Sequence, residues 1–152
     1  MNKKKKIIIG IAVVLLLLQL VRPARNHGEA ASENDIFHTV ETSDEVKTIL
    51  ITSCFDCHSN HSNYPWYTTV QPIRFWMDHH VDEGKEELNL SEFKTYSLKK
   101  QLHKLGEIAD WVASEDMPLY SYTFIHGEAK ISEAQKQLVV NWAQNARKTL
   151  EK

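Results

Sequence analysis

Cys54-Phe55-Asp56-Cys57-His58 is the stretch on which the rest of the chain is organised. Two cysteines separated by two residues and followed at once by histidine form C-x-x-C-H, the spacing of covalent c-type haem attachment. The two sulfurs can reach the two vinyl groups of one porphyrin as thioethers, and the histidine can swing its imidazole under the iron as the proximal ligand. The same string also occurs by chance, as a thiol pair or as part of a zinc site. Three features favour haem. Cys54 and Cys57 are the only cysteines, so a four-cysteine zinc site cannot form; with His58 or His61 they offer three ligands at most. The N-terminus reads as an export signal, which places the motif outside the cytoplasm, where haem is attached. The region downstream carries aromatic residues, histidines and a Met-Pro pair able to close a crevice.

Immediately upstream, Thr42-x-x-Glu45 fits a capping box, and Val46, Ile49, Leu50 and Ser53 mark one face at helical spacing. This helix delivers the motif at its C-terminal end. A thioredoxin-like pair would sit at a helix N-terminus, where the dipole lowers the thiol pKa. Residues 23–41, polar and weakly patterned, read as a tether with His27 and His38 in solvent. Before them, Met1 to Lys6 is a positive segment and Ile7 to Val21 an apolar run broken only by Gly10 and Gln19. Fifteen helical residues cover about 22 Å, short of a ~30 Å hydrocarbon core, and Lys6 and Arg22 can snorkel to help close the gap. The nearest small-x-small triplet, Gly28-Glu29-Ala30, lies well beyond the apolar run. Residues 1–22 are therefore expected to be a retained signal anchor, single-pass in the inner membrane with its N-terminus inside and residues 42–152 in the periplasm. The alternative is a cleaved signal and a soluble periplasmic domain.

Downstream, Tyr64, Trp66 and Tyr67 crowd a short loop and are candidates to wall the haem or to donate to its propionates. Pro72 suits a first helical turn, after which Ile73, Trp76, Met77, His80, Val81 and Gly84 share one face. Trp76 joins the candidate crevice, and Arg74 is a possible propionate contact. A third helix over 97–114 turns Leu98, Leu102, Leu105, Ile108, Ala109 and Val112 inward. In Asp116-Met117-Pro118-Leu119, Pro118 biases Met117 out of helical geometry, so its thioether can project from a loop onto the far face of the haem. Met117 is the expected distal ligand and His80 the alternative. The last helix opens with Ser132-x-x-Gln135 and buries Leu138, Val139, Trp142 and Ala146 against the helix preceding the motif.

The overall charge of -2 hides an asymmetry, because six of the 18 basic residues lie in the first 25 positions and all 20 acidic ones come later. The remainder carries 12 basic against 20 acidic residues, or -8. Such a surface does not suit nucleic acid or anionic lipid, and a redox partner with a basic or neutral docking face fits it better.

Taken in order, Cys54–Asn60, Tyr64-Pro65-Trp66-Tyr67, His80-Val81-x-x-Gly84, Leu88-Asn89-Leu90-Ser91 and Met117-Pro118-Leu119 resemble a bacterial haem-binding domain family of small c-type cytochrome-like proteins. The resemblance covers most of positions 40–150. It implies one covalent haem c on Cys54 and Cys57 with His58 as axial ligand. The order of parts is also similar to a class I cytochrome c: an all-α domain with helix, haem motif, loop, methionine and final helix. The function expected is single-electron transfer without catalysis of its own. A haem sensor or small peroxidase-like enzyme with an open distal site, assisted by His80 or His126, is the second reading. A haem-free metal or thiol protein is the third.

Overall fold

The computed structural model describes residues 2–29 and 31–152. Met1, in the basic segment, and Ala30, which ends the Gly28-Glu29-Ala30 triplet, lie outside the described residues. The α-helices are α1 (Lys3–Leu18), α2 (Asp44–Ser53), α3 (Phe55–His58), α4 (Ile73–Glu87), α5 (Leu98–Ala113), α6 (Tyr120–Thr123) and α7 (Glu133–Leu150), joined by short 3-10 turns. The all-α expectation holds among the described residues.

The core lies where α5 and α7 pack together and α2 lies across them. Leu105, Ala109 and Val112 of α5 meet Val139, Ala143 and Ala146 of α7, and α2 adds Val46, Ile49 and Leu50. Alanines at this seam let two backbones approach closely while leucine and valine fill the remaining volume. The helices α2, α5 and α7 each start on a serine side-chain cap. Ser132 Oγ accepts from Gln135 N–H at 3.3 Å while the Gln135 side chain accepts from Ser132 N–H at 2.8 Å, the reciprocal box expected from the sequence. The cap of α2 differs by one residue: Ser43 accepts from Val46 N–H, and Thr42 Oγ1 instead accepts from the Trp142 indole. Trp142 also donates to Glu41 O, tying α7 to the entry of α2. The principal partner of α7 is α5 rather than α2, because the buried stripe of α7 matches that of α5 along its length.

Three further expectations are corrected. Residues 23–41 are packed rather than a tether: Ile36 and Val40 enter the core, and buried Asp35 caps a 3-10 turn, Ile36–His38, through His38 N–H. Ile36, Phe37 and Val40, set in a polar segment, fasten it. The α4 face is rotated from the one its apolar spacing marks, for Arg74, Met77, Asp78 and Val81 are buried while Ile73 and Trp76 are each 42% exposed. An Arg74–Asp78 ion pair at 3.5 Å occupies the inner side, and pairing is what lets two charges be buried together. Finally, α1 is 16 residues, about 24 Å, and begins with four lysines. No helix among the described residues is long and apolar enough to cross a membrane. The helix expected over 1–22 stops short at Leu18, where Gln19 turns away to hydrogen-bond the backbone of Gln71.

Candidate functional site

At Cys54 the backbone breaks from α2 (φ -124°, ψ -37°) and turns into the single turn of α3. Phe55 points inward and stacks on Phe37, with centroids 5.4 Å apart and planes within 3°. With that side chain pinned, Cys54, Cys57 and His58 border the opposite side, a cleft between α2, α4, α5 and the loop after α5.

The cleft has two adjoining lobes of about 390 and 490 Å3, which share Ser53, Cys54, His58, Glu87, Met117 and Pro118. Each lobe falls in the ~300–1,000 Å3 range of small-molecule sites. One is walled by apolar groups, among them Leu50, Leu90, Ile108, Trp111 and Val112. The other adds Cys57, His80, Glu83, Leu119 and Tyr122. Cofactor sites are built of this mixture, an apolar wall for a flat ring and a polar edge for its charged substituents.

His58 is oriented for ligation. Its Nδ1 faces two carbonyl oxygens, Gly84 O at 2.8 Å and Leu88 O at 3.0 Å. Two acceptors require Nδ1 to carry the proton, which leaves the Nε2 lone pair as the metal-binding position, as in most metal-ligating histidines. Burial pushes the His58 pKa down, against the two carbonyl bonds that raise it and with the Lys104 charge that lowers it further. The imidazole is thereby kept neutral, the form a ligand needs. Gly84 permits this geometry: a Cβ there would lie 2.7 Å from Cys57 O and 3.1 Å from Cys57 Cβ. Only glycine lets α4 come this close to the haem motif.

Burial, with the neighbouring Cys57, pushes the Cys54 thiol up to about 12; burial, with Asp56, pushes Cys57 up to about 11. Both are protonated at neutral pH, unlike the thiolates of a redox-active pair or a zinc site. Among the described residues no group of three His, Cys, Asp or Glu side chains could hold a metal ion. The donor set thus fits haem: two thiols and one imidazole nitrogen border a cavity of porphyrin-compatible character.

Of the candidate distal ligands, half-buried Met117 borders both lobes, and His80 borders the polar one, edge-on to Trp76 at 4.5 Å. The expected crevice aromatics lie elsewhere. Tyr64 Oη accepts from Asn26 N–H beneath the Arg25 guanidinium. Trp66 is 80% exposed, and Tyr67 is bonded to His126. Arg74 donates to Pro23 O, and Trp76 is turned outward. Loop aromatics gave no directional signal, and here they cover the packed segment 23–28 and a surface pair rather than the cleft.

Several site residues escaped sequence reasoning. Asp56, inside the motif, accepts from Asn63 through both backbone N–H (3.0 Å) and side chain (2.9 Å), and from Tyr122 Oη at 2.7 Å. It joins the haem-motif turn to the segment that follows Met117. Lys104, 9% exposed, borders the apolar lobe with Glu107 at 2.7 Å and Glu87 at 3.3 Å. Burial lowers its pKa, but the two carboxylates outweigh burial and raise it overall. Neither position has a periodicity or motif that marks it; Gly84 alone was visible, as a glycine on a helix face.

A family model described as a haem-binding domain matches residues 13–145. No curated protein and no solved structure matches the chain.

Proposed function

The chain belongs to the haem-binding domain family, and from that premise we propose that it is a c-type, single-electron carrier acting on the outer side of the inner membrane. The observation that carries the reading is the doubly anchored imidazole of His58 beside two protonated thiols at one cleft. Cys54 and Cys57 would hold the porphyrin by thioethers, and His58 Nε2 would take the iron. Haem supplies reversible one-electron chemistry between ferrous and ferric iron. Met117, on the loop across the cleft, would fill the sixth position and keep small molecules off the metal. The apolar lobe excludes water from the ring, and the acidic surface beyond residue 25 favours a basic or neutral partner. Lys3–Lys6 and the apolar residues after them would direct export and remain at the bilayer.

The first test is denaturing electrophoresis with haem staining of protein made in a maturation-competent host. Stain is expected on the intact chain and none on Cys54→Ser/Cys57→Ser; a colourless wild-type band overturns covalent attachment. The second test is the ferric spectrum. A low-spin form with a methionine-sulfur band, lost in Met117→Ala, is expected. A high-spin wild type that binds carbon monoxide readily when reduced would replace electron transfer by sensing.

A further inference from the structure

We infer that Trp66, Val70, Ile73 and Trp76 form a lipid-facing surface, on which the haem domain rests against the bilayer that receives α1. The inference builds on the membrane placement proposed above. These side chains are 80, 43, 42 and 42% exposed and fall within eleven residues of sequence. An apolar group of this kind at a water-facing site marks a surface that something covers.

What covers it follows from α1. Every described apolar side chain of Ile7–Leu17 in that helix is exposed, and none of its residues is buried. A helix apolar on all sides cannot be satisfied by a groove, which covers one side; lipid covers them all. Basic residues flank its apolar run at both ends, Lys3–Lys6 in the first turn of α1 and Arg22 and Arg25 after it, complementary to phospholipid phosphates.

The end of α1 is fastened to the middle of the exposed group. Gln71 N–H donates to Gln19 Oε1 at 2.9 Å, and Gln19 Nε2 donates back to Gln71 O at 3.3 Å. Gln71 Nε2 donates to Val21 O at 2.9 Å, and Arg74 donates to Pro23 O. Gln71 itself is 4% exposed, so this junction is packed and hydrogen-bonded rather than an open linker. Where α1 enters lipid, Trp66, Val70, Ile73 and Trp76 are therefore carried to the interface. Tryptophan suits that depth, with its ring in the acyl boundary and its N–H toward the headgroups.

The test uses the full haem-loaded chain in vesicles of phosphatidylethanolamine and phosphatidylglycerol carrying a photoactivatable acyl chain, with adducts mapped by mass spectrometry. Adducts are expected on α1 and on the 66–76 peptide, several-fold above those on Leu98 of α5 and Leu138 of α7, which are exposed although their helical spacing marks them as inward. Adducts on α1 alone would overturn the inference and leave membrane placement standing. A chain that does not sediment with the vesicles would overturn both. Chain-to-chain crosslinks through 66–76 would assign the surface to a second copy instead. Trp66→Ser/Trp76→Ser should lower labelling at Val70 and Ile73 while haem content stays constant; unchanged labelling there overturns the role of the two indoles.

Discussion

Between α5 and α7, Leu105, Val139 and Ala143 are at most 1% exposed and fill the seam with carbon. Between α3 and α4 there is instead backbone against backbone, with Gly84 on Cys57 and the His58 ring bridging to Gly84 and Leu88. Polar bolts continue outward, with Asn60 Nδ2 donating to Glu92, Asn89 Nδ2 to Asn60 Oδ1, and Lys85 to Asn26. The first region is stabilised by burial, which is non-directional and tolerant of small shifts. The second is stabilised by hydrogen bonds, which fix angles, and it borders the cleft. Burial carries the fold, and directional bonds hold the His58 imidazole.

The sharpest way to break the contrast is to damage each region separately. Leu105→Ala should destabilise by about 2–5 kcal/mol, the usual cost of a cavity at a fully buried leucine. Denaturant unfolding measures it, and haem staining per folded molecule should be unchanged. If Leu105→Ala strips haem while the chain stays folded, the two regions are not separable as described.

Gly84→Ala should be the mirror case. Its Cβ would meet Cys57 O at 2.7 Å, so α4 must retreat, at about 1–3 kcal/mol for overpacking. Haem incorporation should fall more than stability, because the retreat pulls the two carbonyls off His58. Gly127→Ala, which meets nothing within 4 Å, is the control. Equal haem content in Gly84→Ala and wild type would show that the carbonyl anchor is dispensable.

This division also explains what was legible in the sequence. The inward face of α2 (Val46, Ile49, Leu50, Ser53) and the inner positions Val139, Trp142 and Ala146 of α7 follow from spacing, because burial writes a period into a helix. The meeting of Cys54, Cys57 and His58 at one cleft was legible because C-x-x-C-H makes them near neighbours, and the loop position of Met117 because proline marks a loop. The bonded region left no such trace. Asp56 and Tyr122 are 66 positions apart, and Lys104 lies on a stripe that periodicity assigns to carbon. Ile36 and Val40 were hidden by polar neighbours, and burial of the Arg74–Asp78 pair inverted the apparent face of α4.

A finer probe of the directional region is Tyr122→Phe. Loss of the bond to Asp56 should cost about 1 kcal/mol, the larger value for a carboxylate acceptor being discounted for partial exposure. Burial first, then the Asp56 bond and charge, raises the Tyr122 pKa above its ordinary 10.0. Above that pH the unfolded chain sheds a proton that the folded chain keeps, so stability falls as pH rises, and the variant should lack this alkaline loss. Because Tyr122 holds the segment after Met117, its ferric methionine band should also weaken at lower pH than in wild type. An identical pH profile would reduce the Asp56 bond to ordinary surface packing.

The smallest effect is expected where the two regions meet. Glu115, just past α5 and two residues before Met117, has φ 67°, a left-handed conformation that glycine adopts without strain. Its carboxylate contacts Lys136 of α7 at 2.7 Å, and Lys136 also contacts Glu133 at 2.6 Å. The Lys136 hydrogen bond, then its charge, lowers the Glu115 pKa, so this contact acts above the ordinary 4.5 and is lost as pH falls through the lowered value. Glu115→Gly relieves the backbone and removes the ion pair, two opposed changes of which only the second is screened by salt. Thermal unfolding should place the variant near wild type at low ionic strength and above it at high ionic strength, with the haem spectrum unchanged. A variant that falls further below wild type as salt is added would mean that Glu115 works through something other than its charge.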